Sequence, residues 1–188
     1  MPESQPDSHV ATFHASGRGV GVLALLMVAG ALVFGAVASD AHYAAWVWPA
    51  LALIAVVVWC VILRPCIRLA PTALELRNAL STVQVQLGAV ETIEVRQVAR
   101  VRVGGRTLTC AGAGRTRKVI RRDTQLSGDA PVQDYSDGAL LEQRVRHRAA
   151  ELVELGEATD PTIRRTWAWP EIAALVVTVA ATVVAALA

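Results

Sequence analysis

Three long stretches without a single charged side chain in their interiors divide this chain, and they constrain it more than any other feature. The first runs from about Val20 to Ala38, the second from about Tyr43 to Leu63, and the third from about Pro170 to Ala188 with Glu171 at its mouth. Each covers roughly 19–21 residues, or about 30 Å as a helix, which is the thickness of a bilayer's hydrocarbon core. Overall composition agrees, since 54% of the 188 residues are hydrophobic, above the roughly 45–50% of a soluble globular chain. Tyr43, Trp46 and Trp48 cluster at one end of the second stretch, and Trp167 and Trp169 precede the third. Aromatic side chains favour the headgroup layer in this way. The fold class expected is a mixed α/β membrane protein with three transmembrane helices, at 20–38, 43–63 and 170–188.

Only Ser39 to His42 separate the first two stretches, so 18–63 is expected to form a tight transmembrane hairpin. Arg18 precedes the first stretch, and all other basic residues, Arg64 to Arg165, lie between the second and third stretches. Lys and Arg are retained on the cytoplasmic side. The expected location is therefore the plasma membrane, multi-pass, with the N-terminus and the soluble region cytoplasmic and the C-terminus outside. Ala36-Val37-Ala38 resembles a leader-peptidase site. The apolar run is longer than a leader's and only one arginine precedes it, which argues for a retained span. Residues 1–17 are polar, with Pro2, Pro6 and several serines, and are expected to be a disordered cytoplasmic tail.

Between the second and third stretches, residues 64–122 alternate apolar and polar side chains. Ala73-Leu74-Glu75-Leu76-Arg77, Val83-Gln84-Val85-Gln86-Leu87, Ile93 with Val95, and Val101-Arg102-Val103 all repeat every second residue. That period predicts half-buried antiparallel strands. Gly104-Gly105 predicts a two-residue hairpin turn, and Asn78 a second turn. Residues 123–138, rich in Gly, Asp, Ser and Pro, are expected to be a loop. Over 139–157 the period changes: Leu141, Val145, Ala149, Leu152 and Val153 recur at three- and four-residue steps, predicting an amphipathic helix with Asp137 as N-cap and Gly156 at its end. Residues 158–169, with Pro161, are expected to be a juxtamembrane linker.

The order of a two-helix hairpin, Leu63-Arg64-Pro65, strands and a third span resembles small bacterial membrane proteins with a PH-like (pleckstrin-homology-like) domain, common in actinobacteria. Leu76-Arg77-Asn78-Ala79-Leu80-Ser81-Thr82, the strand Val90 to Val95 and the Gly104-Gly105-Arg106 turn carry the resemblance. It implies a bent antiparallel sheet closed by a C-terminal helix. Residues 139–157 either supply that helix or form a separate element before the third span.

No catalytic set is legible. His9, His14, His42 and His147 pair with no cysteine or carboxylate at ligand spacing, so no metal site is expected. Gly112-Ala113-Gly114 before Arg115 lacks the spacing of a phosphate loop, and no cofactor is expected. Cys60, Cys66 and Cys110 follow no metal or redox spacing and are expected to be free thiols. Among 18 basic residues only Lys118 is a lysine, a compositional bias and not a chemical signal. The informative run is Arg115, Arg117, Lys118, Arg121 and Arg122. Basic side chains near anionic lipid contribute about 1 kcal/mol each, so the run is a candidate contact for a protein partner or for anionic phospholipid. Its competing reading is a solvated strand or loop that only reinforces orientation. The small net charge of +2 gives no support to nucleic-acid binding. The function expected is a non-enzymatic, membrane-anchored interaction or scaffold protein presenting its domain to a protein partner or the inner leaflet. The alternative is an accessory subunit of a membrane enzyme or transporter complex.

Overall fold

The computed structural model describes residues 10–14, 17–37, 43–125, 135–156 and 161–188. The expected hairpin turn at Ser39–His42 lies outside them, as do most of the expected N-terminal tail and of the loop at 123–138. The chain is mixed α/β with antiparallel sheets, and it divides into two units.

The apolar unit comprises 17–64 and 167–188. Helix α1 (Arg18–Val37) and helix α5 (Trp169–Leu187) are each long and apolar enough to cross a membrane. The middle helix is shorter than the sequence suggests. It starts at Val47, not Tyr43, with 12 residues as α2 (Val47–Val58) and five more in a π-helical turn, Trp59–Leu63. There Arg64 N–H bonds Trp59 O at 2.9 Å. A third span thus lacks the full-length helix expected for it. Helices α1 and α5 both pack on α2. Gly21 permits α1 to approach the π-helical turn closely, because a Cβ there would sit 2.7 Å from Ile62 Cγ2. Arg64 Nε donates to Glu171 Oε1 at 2.7 Å, joining the end of the middle helix to the first turn of α5. Thr178 Oγ1 bonds Ala174 O at 2.8 Å, and Thr182 Oγ1 bonds Thr178 O at 2.7 Å. Both hydroxyls are satisfied within their own helix and contribute no cross-helix glue.

The second unit contains the sheets. The alternating segments become β2 (Cys66–Leu69), β3 (Ala73–Arg77), β4 (Ser81–Gln86), β5 (Val90–Val95), β6 (Ala99–Val103) and β7 (Arg106–Cys110). Gly104 and Gly105 take the left-handed φ values of 53° and 72° that a tight hairpin needs, and Val103 faces Arg106 across it. Asn78 closes the other predicted turn through its N–H to Ser81 O at 2.8 Å.

Two further strands fall where none was expected. Residues Ala11–His14 form β1 within the supposed disordered tail, antiparallel to β2 with Phe13 opposite Ile67. Burial of Phe13 accounts for this: one aromatic is enough to seat a four-residue strand on an existing edge. Residues Ile163–Trp167 form β8 within the supposed linker, beside β4. The sheets are therefore β1-β2-β3-β4-β8 and β5-β6-β7.

Helix α3 (Arg117–Gln125) replaces the strand or loop expected for the basic run and takes in the start of the expected loop. Helix α4 (Asp137–Glu154) is the predicted amphipathic helix, but Ser136 and not Asp137 caps it. Ser136 Oγ accepts from Ala139 N–H at 3.3 Å, leaving Asp137 as an acid in the first turn. Gly156 has φ 74° just past the C-terminus, as a C′ glycine should. Leu141, Val145 and Leu152 of α4 join Ile67, Leu74, Leu76, Val85, Ile93 and Val101 in one buried cluster. The helix is therefore part of the domain's core and not a separate element.

Candidate anion-binding surface

After β7 the chain makes two backbone approaches that only glycine permits. A Cβ on Gly112 would lie 2.5 Å from the Cα and N of Cys66, and one on Gly114 would collide with Gln97 O. The first contact sets the chain against the start of β2, and the second sets it against the β5–β6 turn. Arg115 N–H then donates to Arg96 O at 2.6 Å.

The Arg115 side chain turns inward. Its Nε donates to Val95 O at 2.8 Å, Nη1 to Asp123 Oδ2 at 3.1 Å and Nη2 to Glu142 Oε2 at 2.7 Å. One guanidinium thus ties the end of β5 to α3 and α4. Asp123 also accepts from Ser136 Oγ at 2.5 Å. Burial alone would raise the Asp123 pKa. The bonds from Ser136 and Arg115 outweigh it and hold the carboxyl below its ordinary value. Arg115 therefore leaves the set of expected contact residues, because its donors are committed inside the domain.

The other four expected residues behave differently. Arg117, Lys118, Arg121 and Arg122 are all exposed on α3 and make no ion pair among the described residues. Arg117 and Arg121 lie one turn apart, as do Lys118 and Arg122, giving two adjacent basic rows. Arg117 and Arg121 border a cleft of about 760 Å³ between α3 and the β5–β6 turn. Arg96 and Arg100 of the β5–β6 hairpin line it too, with Val95, Val98 and Ile120 as its apolar part. Glu94 and Glu142 also face it, but Glu94 pairs with Arg96 at 3.0 Å and Glu142 with Arg115 and Arg146. The carboxylates are thus already neutralised, and Arg100, Arg117 and Arg121 keep their charge for something else.

Arg96 and Arg100 were not legible as site residues, since in sequence they are the polar half of an alternating strand. The signal that could have placed them was the Gly112/Gly114 pair, which marks a close backbone approach. The remaining arginines of α4 are used locally: Arg148 pairs with Glu151 at 2.9 Å, and Arg144 sits 5.9 Å from the Phe13 ring centre.

No cluster of three or more His, Cys, Asp or Glu side chains suited to a metal occurs among the described residues. Cys60, Cys66 and Cys110 are free and buried. Burial pushes the Cys110 thiol up to about 11, so it stays protonated at neutral pH and is a poor nucleophile. No family model, curated protein or solved structure matches this chain.

Proposed function

We propose that this protein is a non-enzymatic, membrane-anchored interaction module that presents a cytoplasmic PH-like domain to a protein partner or to the inner leaflet. The observation that carries the reading is the exposed, unneutralised basic surface of α3 on a well-packed domain. The acids beside these bases, Asp123 and Glu142, are both engaged by Arg115. Arg117, Lys118, Arg121 and Arg122 instead stand without ion pairs among the described residues. The PH-like assignment draws on two antiparallel sheets with an amphipathic helix packed into their shared core. On that assignment β1 and β8 are additions that lengthen one sheet.

The reading takes α1, the middle helix and α5 as three spans of the plasma membrane, with the C-terminus outside. A parity argument supports the second span. Strands β1 and β2 belong to one sheet, so their residues share one side of the membrane. If α1 crosses, the chain must cross back before Cys66, and Val47–Leu63 is the apolar helix available to do so. Its 17 residues span about 25 Å, which modest local thinning accommodates. The positive-inside bias then puts the domain in the cytoplasm.

Purification of the intact protein in mild detergent, beside a variant with Arg117, Lys118, Arg121 and Arg122 changed to Gln, tests the proposal. A partner recovered with the former and lost with the latter is the expected result. Recovery undiminished in the variant, and surviving removal of the sheet domain, would favour the accessory-subunit alternative, held through the helices.

A further inference from the structure

The cleft between α3 and the β5–β6 turn has a charge pattern more specific than a basic face. Five arginines and two glutamates line it. Both glutamates are ion-paired to arginines, and Arg115 is further bound to Asp123. What is left is Arg100 from β6 and Arg117 and Arg121 from α3. All three are exposed, border one cavity, and have no ion pair among the described residues. Like charges gathered around a concave apolar surface repel one another, and an anion bound between them relieves that cost. The cleft, at about 760 Å³, falls in the roughly 300–1,000 Å³ range of small-molecule sites.

Resting on the reading of α3 as an interaction surface, we infer that this cleft binds a phosphate-bearing group attached to an uncharged body. A phosphate monoester offers three terminal oxygens and nearly two negative charges at neutral pH, which suits three guanidinium forks better than a single carboxylate does. Val95, Val98 and Ile120 supply the apolar contact for the uncharged body. The same chemistry occurs in a soluble phosphate monoester and in a monoester phospholipid headgroup such as that of phosphatidic acid. Lys118 and Arg122, on the neighbouring row of α3, lie outside the cleft and take no part.

The test uses the full chain in an uncharged detergent, titrated calorimetrically with glycerol 3-phosphate. In parallel, the protein is placed in nanodiscs of phosphatidylcholine with or without phosphatidic acid, and binding is read from a fluorophore attached at Gln97→Cys. Saturable binding of glycerol 3-phosphate, weakening as pH falls through about 6 where phosphate loses its second charge, identifies a soluble source. A saturable response to phosphatidic acid alone identifies a headgroup. In either case Arg100→Gln and Arg121→Gln should each weaken binding about tenfold or more, while Lys118→Gln stays within about twofold. Equal losses in Arg100→Gln and Lys118→Gln would overturn the cleft but leave the broader basic-surface proposal standing. Absence of saturable binding to both probes would overturn it too. The partner-recovery experiment fails or succeeds independently of either result.

Discussion

Arg115 and its neighbour Arg117 are two residues apart and do opposite things. Arg115 is committed to Asp123, Glu142 and Val95 O, whereas Arg117 faces outward. Removing one partner from a largely buried ionic network leaves the others uncompensated. Arg115→Gln should therefore cost about 3 kcal/mol, and Arg117→Gln less than about 0.5 kcal/mol, as read from denaturant midpoints in detergent. Acid should act through the same network. The folded-state pKa of Asp123 lies below its ordinary value of 3.8, so its contribution is complete at neutral pH. It is lost as the pH drops below 3.8 through the folded-state value, because the unfolded chain then binds the proton more readily. Asp123→Asn should flatten that part of the melting-temperature profile. An unchanged acid slope in Asp123→Asn would show that another carboxylate governs it.

The elements differ in how plainly the sequence announces them, for reasons of burial. Strands β3, β4 and β6 bury every second side chain, so their period is visible, and the β6–β7 turn is visible through Gly104-Gly105. Helix α4 shows its stripe because Leu141, Val145 and Leu152 reach the core. Strand β8 exposes four of its five residues and reads as a charged linker. Helix α3 buries no residue, so it has no apolar period to detect. Strand β1 is too short for a pattern and becomes a strand only because β2 offers an edge. The candidate site was half legible for the same reason: charge along α3 is a local property, but its neighbourhood with Arg100 depends on the chain's path past Gly112 and Gly114. Gly112→Ala should therefore destabilise the domain by well over 1 kcal/mol, because the obstacle is the Cys66 backbone and cannot rotate away. Gly105→Ala meets open space and should cost about 1 kcal/mol for its positive φ alone. Similar losses for the two would argue that residues 111–114 can shift.

At the scale of the whole chain, the sheet domain is discontinuous in sequence, drawing on the N-terminal segment and on 65–166, with α1 and α2 between them. Under the proposed topology a cysteine at exposed Thr12 and one at exposed Glu91 should be shielded alike from an impermeant maleimide added to intact cells. A cysteine at Ser39, between the two helices, should react. Labelling of Thr12→Cys without Glu91→Cys would refute the hairpin, because β1 and β2 could not then pair.

The pairing of Ala11–His14 with Cys66–Leu69 also sets an order of events at the ribosome. Strand β1 is synthesised first and has nothing to bond until the helices between it and β2 have emerged and the sheet has begun to form. Its four residues must wait through that interval with Phe13 uncovered. Under the proposed topology, a molecule whose helices insert wrongly strands β1 away from its partner and leaves the edge of β2 bare, with Ile67 missing its neighbour Phe13. Under that topology correct insertion is recorded in the folded domain itself, as a sheet that ends on β1 and not on β2.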